Sequence, residues 1–350
     1  MRTRVLVSCL LMAVLASCAP TEVSPPSSSV SSESSESAES DRLGRETAAQ
    51  LEWAIAIHGG AGTVSADKEQ HYLQSLSDAL ELGRRILEGG GSSLDAVEQV
   101  IRNMEDDPLF NAGKGAVFTN AGTNELDAAI LDGRDLGCGA VTGIRRVKNP
   151  ITLARIVMEQ TKHVFLAGEG AEALAVEHGL EMVESDYFFT QSRFDSLQRA
   201  LEREKQSRTK LPADAHGTVG AVALDREGNL AAATSTGGLT NKRFGRIGDV
   251  PVIGAGTYAD NESCAISCTG VGEEFIRHTV ARTVSVLIEY RGMELEDAAN
   301  ELIFETLKQG DGGLIGVNRR GAITLAFSTT GMPRGAADST GRFEVAVGKN

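Results

Sequence analysis

The 350-residue sequence is poor in cysteine, with five, and in aromatic residues, at 5%. Cys9 and Cys18 lie in the first twenty residues, which leaves Cys138, Cys264 and Cys268 for a folded part. No C-x-x-C pair and no histidine at zinc-ligand spacing accompanies them, which argues against a structural zinc site or a dithiol redox motif. Cys264 and Cys268 fall in "SCAISC", on one face of an expected strand and about 13 Å apart by strand rise. They cannot bridge along a continuous strand, so buried thiols are expected. An excess of positive charge is also missing. Lys and Arg number 34 against 48 Asp and Glu, for a formal charge of −14 and a pI near 5.0. The clusters "RRVK" (145–148) and "NKRFGR" (241–246) are too short for a basic patch, so no nucleic-acid partner is expected. No apolar run is long enough to span a bilayer, and the phosphate-loop order G-x-x-x-x-G-K-[ST] does not occur. What is there suits a globular domain with an ample core: 41% hydrophobic and 23% charged residues.

The amino terminus stands apart. Arg2 and Arg4 precede a short apolar run, Val5 to Ala16, which reads as an export signal over 1–18. Its end, "LASC" at Leu15 to Cys18, resembles a bacterial lipobox, in which the cysteine is lipidated and becomes the mature first residue; the alternative is a plain secretory signal. The following segment, 19–50, is rich in Ser, Pro and Glu and cannot bury enough apolar area to fold, so a disordered tether is expected. Ala19 is not the aspartate that retains some lipoproteins in the inner membrane. The expectation is therefore an outer-membrane lipoprotein facing the periplasm, in contact with the membrane through its anchor alone.

A single domain is expected over 51–350. "LEWAIAIHGGAG" reads as a strand running into a glycine turn at His58 to Gly62, whose N–H groups could bind an anion. Helical spacing follows in Leu73, Leu76, Leu80, Ile86 and Leu87, stopping at Gly89. A helix with serine caps in "SSLDAVEQVIRNMED" (92–106) ends at Asp107-Pro108. Two glycine-rich strands, a helix from Pro150, a short strand "VFLAG" and a helix "GAEALAVEHG" come next. From about 185 to 216 the pattern fails, with at most one exposed, charged helix. Strands are expected at 218–224, 229–235, 252–258 and 264–269, helices at 272–290 and 294–308, and closing strands at 313–318 and 322–328. Such an order suggests antiparallel sheets covered by helices.

The chemistry concentrates where "ADAHGTVGAVALD" turns from a polar approach into an alternating strand at Thr218. A threonine hydroxyl is a weak nucleophile and needs an adjacent base. An amino-terminal threonine carries its own, since α-amines titrate at roughly 7.7–8.0. Cleavage between Gly217 and Thr218 would create that terminus, and Gly217, lacking a Cβ, would let the bond strain toward attack. Downstream, "TSTGG" supplies Thr236. Arg246 and Asp249 in "GRIGD" suit an α-amino acid, guanidinium for the carboxylate and carboxylate for the ammonium, although an isolated R-x-x-D is more often a surface ion pair. "CTG" offers the Thr269 hydroxyl and the Gly270 N–H as an oxyanion site.

These segments, "IHGGAG", "HGTVGAVALD", "NLAAATSTGGLTNKRFGRIGD", "SCTGVGEEFIR" and "LAFSTTGM", resemble the plant-type asparaginases, or isoaspartyl peptidases, among the amino-terminal-nucleophile hydrolases. The resemblance runs from Ile57 to Met332. It implies an αββα sandwich, self-cleavage into 51–217 and 218–350, and hydrolysis of β-aspartyl amides in isoaspartyl dipeptides and L-asparagine, with no catalytic cofactor. It makes Thr236 a hydroxyl partner of Thr218, sets Asn111 near the nucleophile, brings Gly270 to the substrate, and leads to a homodimer of processed units. It also implies a sodium ion held by backbone carbonyls of Met104, Glu105, Asp107, Phe110, Ala112 and Lys114, against the plainer reading of a glycine-rich connection. Glycosylasparaginases are a close rival, but that branch typically carries aspartate where this chain has Gly217, and "TGNGD" wording where it has "TGVGE". A third reading is a binding lipoprotein that has lost activity.

Overall fold

The computed structural model describes residues 51–206 and 217–348. The expected signal, Cys18, the tether and the approach from 207 to 216 lie outside them.

Strand β1 (Ala54–His58) runs into the expected glycine turn. Helix α1 (Glu69–Glu88) buries Leu76, Ala79, Leu80, Gly83 and Leu87 along one stripe. Helix α2 (Ser93–Asp106) starts where the Ser92 hydroxyl accepts from the Asp95 N–H at 3.1 Å, and it stops before Pro108. Strands β2 (Leu126–Asp132) and β3 (Gly137–Ile144), helix α3 (Pro150–Gln160), strand β4 (Phe165–Ala167) and helices α4 (Gly168–Glu177) and α5 (Gln191–Gln206) follow. After the cleavage motif come β5 (Val219–Leu224), β6 (Leu230–Thr236), β7 (Thr257–Ala259) and β8 (Cys264–Gly270). Helices α6 (Gly272–His278), α7 (Val280–Arg291) and α8 (Leu295–Asn300) precede β9 (Gly312–Asn318), β10 (Ile323–Phe327), β11 (Gly331–Asp338) and β12 (Phe343–Gly348).

One sheet has the order β12-β11-β1-β5-β6-β2-β3-β4 and the other β10-β9-β8-β7. Alternation along the strands separates two cores. Ile55, Ile57, Val219, Ala221 and Ala223 pack with α1 and α2 on the outer face of the large sheet. Ala54, Ala56, Val222, Leu224 and Ala232 meet Ala265, Ile315 and Val317 between the sheets, while Cys264, Ile266 and Cys268 turn to the small sheet's other face, which carries α7 and α8. The result is the expected αββα order of layers. Cys138, Cys264 and Cys268 are free thiols, the last two buried.

Five details depart from the sequence reading. The segment 252–256 is turns, and only Thr257–Ala259 pairs as a strand. The helix expected over 272–290 breaks at Thr279, a left-handed residue with φ 44°. The helix from 294 leaves α-geometry at Glu301 for a π-helical turn. β3 and β4 are parallel rather than antiparallel. Strands β11 and β12 were not expected; "GMPRGAAD" lacks β-branched residues, and its Pro333 sits at a register shift, where a missing N–H is tolerated.

Candidate active site

Alternation puts Thr218, Val222 and Leu224 of one strand and Thr234 and Thr236 of its neighbour on the inter-sheet face. β5 and β6 pair in register Val219↔Ser235, so Thr218 and Thr236 end side by side. The Thr218 hydroxyl donates to the Thr236 hydroxyl at 3.1 Å, and Thr236 Oγ1 also accepts from the Gly238 N–H at 3.0 Å. The Gly217 carbonyl accepts from the Asn111 N–H at 3.1 Å. Thus the carbonyl before Thr218 is held from one side and the Thr218 hydroxyl from the other.

Asn111, fully buried, braces this arrangement. Its carbonyl accepts from Gly237 N–H at 3.0 Å, its Oδ1 from Val117 N–H at 2.9 Å, and its Nδ2 donates to Gly238 O at 2.8 Å. The small size of Gly217 serves packing. A Cβ there would stand 2.8 Å from that of Asn111, while a Cβ on Gly60, at φ +105°, would lie 2.3 Å from Gly217 Cα. The two glycines let the "HGG" turn lie directly on the segment before Thr218.

That turn is not an anion nest. Gly59 N–H is taken by Pro333 O and Gly62 N–H by Gly331 O, both at 2.8 Å. Ala61 N–H goes to Thr269 Oγ1 at 3.0 Å. Because the Thr269 oxygen is an acceptor there, its own proton remains to donate to another group. Gly270 ends β8 against Asp311, whose carbonyl would be 2.1 Å from a Cβ there.

Arg246 and Asp249 meet over a glycine. A Cβ on Gly272 would be 2.8 Å from both Arg246 Nη2 and Asp249 Oδ1, so the two side chains converge there. Asp249 is buried, its Oδ2 has no partner among the described residues, and burial pushes its carboxyl up to about 7 against the pull of Arg246. An incoming ammonium would satisfy that oxygen. Arg246 itself pairs with Glu273, Nε to Oε1 and Nη2 to Oε2, both at 2.9 Å. Beside Arg246 opens a cavity of about 420 Å³ that Asp127, Thr142 and Lys242 also line.

The carbonyl loop closes tightly over its glycines. Carbonyls of Glu105 and Phe110 press onto Gly113 and Gly115, 2.3 and 2.0 Å from where a Cβ would be. Those of Asp107 and Ala112 each accept one turn hydrogen bond and keep a second lone pair, as does Met104. The Lys114 ammonium turns away over the Tyr187 ring. All donors are neutral oxygens, the set that a monovalent hard ion prefers over a transition metal.

Sequence reasoning missed Glu273, Arg193 and the His58 side chain. Arg193 of α5, half-buried, donates to Gly115 O at 2.8 Å and Leu109 O at 3.1 Å, locking the loop that carries Asn111. Only the apolar neighbour Leu197 marked a buried stripe on that charged helix. Glu273 stands in the quoted "TGVGEEFIR" but 27 residues from its partner.

The sequence is similar to those of known proteins. Isoaspartyl peptidases of Salmonella typhimurium and Escherichia coli are each 48% identical to this chain, over 292 and 295 residues. Those alignments cover 80% of this chain and 93% and 91% of theirs. The isoaspartyl peptidase/L-asparaginase of Homo sapiens is 42% identical over 289 residues, 81% of this chain and 92% of that protein. The asparaginase family model matches residues 51–347, nearly all that the structure describes, and the chain therefore belongs to the asparaginase family.

Proposed function

We propose that the protein is an isoaspartyl peptidase and L-asparaginase that uses Thr218 as an amino-terminal nucleophile. The observation that carries the reading is the Thr218–Thr236 hydroxyl pair beside a Gly217 carbonyl held on the Asn111 N–H.

Maturation begins with the Thr218 hydroxyl attacking the Gly217 carbonyl carbon, its proton passing to the departing amide nitrogen. The C–N bond breaks, and Gly217 is left as an ester on Thr218 Oγ1. Water hydrolyses that ester, releasing the Gly217 carboxylate and restoring the Thr218 hydroxyl beside the α-amine freed when the C–N bond broke. In turnover that amine takes the hydroxyl proton as Oγ1 attacks the β-carbonyl of the substrate. Thr269 Oγ1 and the Gly270 N–H stabilise the oxyanion, and the amine passes the proton to the leaving ammonia or amino acid. Water then frees aspartate. Arg246 holds the α-carboxylate and Asp249 the ammonium, which leaves only the β-carbonyl facing Thr218. The names of the relatives support this substrate class.

A sodium ion held by the carbonyls of Met104, Glu105, Asp107, Phe110, Ala112 and Lys114 would stiffen the loop that presents Asn111. Processed units would pair as homodimers. Cys18 would carry the lipid of an outer-membrane, periplasm-facing lipoprotein with 19–50 as its tether.

Assays of purified protein on β-aspartyl-leucine, L-asparagine and N-acetylglucosaminyl-asparagine test the reading. Hydrolysis of the first two supports it, and turnover of the sugar amide alone would transfer the chain to the glycosylasparaginase branch. A chain that stays intact and inert after long incubation would support the binding-lipoprotein reading instead.

A further inference from the structure

Between the sheets runs a line of buried polar side chains that the catalytic reading does not use. His58 Nδ1 lies 3.0 Å from the Thr218 carbonyl oxygen, and His58 Nε2 lies 2.9 Å from Ser267 Oγ. Ser267 Oγ is 2.7 Å from Thr234 Oγ1, which is 2.7 Å from Thr257 Oγ1. His58, Ser267, Thr234 and Thr257 are all fully buried, and they come from β1, β8, β6 and β7. The backbone makes room for them. A Cβ on Gly220, two residues past Thr218, would fall 2.0 Å from Ser267 Oγ and 2.2 Å from His58 Nε2.

Only one proton order fills this line. A carbonyl oxygen can only accept, so the Thr218 contact requires a proton on His58 Nδ1. Burial holds the imidazole neutral, its pKa lowered to about 3, so Nε2 is then a bare acceptor and the Ser267 hydroxyl must donate to it. Ser267 has one proton, so Thr234 donates to Ser267, and by the same rule Thr257 donates to Thr234. The Val250 carbonyl, 3.2 Å from Thr257 Oγ1, can share that last proton but cannot claim it without leaving two oxygens 2.7 Å apart unbridged. Every proton points toward Thr218, and bonds aligned head to tail in a dry interior strengthen one another.

We infer that His58 is a positioning residue which, as a neutral Nδ1–H imidazole terminating the hydroxyl chain Thr257–Thr234–Ser267, pins the Thr218 carbonyl and so aims the nucleophile. The inference rests on the reading of Thr218 given above. The carbonyl is fixed by His58 and the hydroxyl by Thr236, so the residue is held at both ends while its α-amine, once released, is set relative to the hydroxyl. Substrate binding at Arg246 and Asp249 is not touched, so the effect belongs in kcat and in self-cleavage rather than in KM.

Nitrogen NMR of histidine-labelled, processed protein at pH 7 tests the tautomer directly, His58 being assigned as the signal pair lost in His58→Leu. A protonated Nδ1 and an unprotonated Nε2 are expected. The opposite tautomer, or an imidazolium, would overturn the inference. Kinetics supply the second arm. His58→Leu should lower kcat on L-asparagine by roughly 100-fold, as expected for a misplaced reacting group, with KM unchanged. His58→Asn should restore most of it, because its amide nitrogen stands as many bonds from Cα as Nδ1 does and can donate to the same carbonyl. Equal loss in both variants, or a change confined to KM, would count against positioning. An active Thr218→Ala protein would instead refute the nucleophile reading, while the tautomer spectrum is read independently of activity.

Discussion

Glu273 grips Arg246 with both carboxylate oxygens, through Nε and Nη2 at 2.9 Å each. The guanidinium edge left open is the end-on one formed by Nη1 and Nη2, which still offers a fork to a substrate carboxylate. Arg246→Lys should cost on the order of 2 kcal/mol in kcat/KM for L-asparagine, mostly through KM, and leave self-cleavage intact. Glu273 is half-exposed, so its pair with Arg246 is screened; Glu273→Gln should raise KM by no more than about fivefold at constant kcat. Unchanged kinetics in both variants would remove Arg246 from the clamp.

Thr218 should act twice. Thr218→Ala is expected to yield one uncut, folded chain without hydrolase activity, since alanine fits a strand start. Thr218→Ser keeps a hydroxyl but loses the methyl that restricts its rotamer, and should cut slowly and retain weak activity. Amino-terminal sequencing of the wild-type small fragment should begin Thr-Val-Gly-Ala-Val. Any other start would relocate the nucleophile.

Gly60 lies too close to Gly217 Cα for a side chain and holds φ +105°. Gly60→Ala should therefore destabilise the protein by about 1–3 kcal/mol, the usual range for backbone strain, and slow self-cleavage. A time course on denaturing gels reads the second effect. Cleavage at the wild-type rate would show that the turn does not bear on the scissile segment.

Asp249 titrates from a raised value, about 7 against 3.8 when unfolded. The folded state therefore binds the proton more tightly, and this contribution to stability is fully present below pH 3.8 and is lost as pH rises through about 7. In the uncut Thr218→Ala background, adding Asp249→Asn should remove that slope. The doubly substituted protein should gain on the order of 2–4 kcal/mol over its parent between pH 4 and pH 8. Denaturant unfolding at several pH values gives the difference, and parallel curves would exclude a strained Asp249.

Cys18→Ser tests the address. The variant should remain uncleaved at its signal or leave the membrane fraction, and unchanged detergent partitioning would refute lipidation.

The sequence by itself determined the features written within a few residues. The Ser92 cap and Pro108 bound α2, Gly89 ends α1, and alternation from Thr218 puts both Thr218 and Thr236 on one sheet face, because φ/ψ preference and side-chain period are local. It also carried the family motifs, and with them Asn111, Arg246, Asp249 and Thr269. Tertiary structure alone decided who meets whom. Arg193 reaches Gly115 across 78 residues, and His58 reaches Ser267 across 209. Nothing local marks such pairs, since each depends on strand order and on how closely the sheets approach. The same holds for β11, a poor strand by composition that forms because β1 and β12 offer partners on both its edges. Glycine joins the two levels: Gly60, Gly220 and Gly272 are visible in the sequence, but only the packed molecule reveals that Gly217, the His58–Ser267 pair and the Arg246 and Asp249 side chains need the space a Cβ would fill.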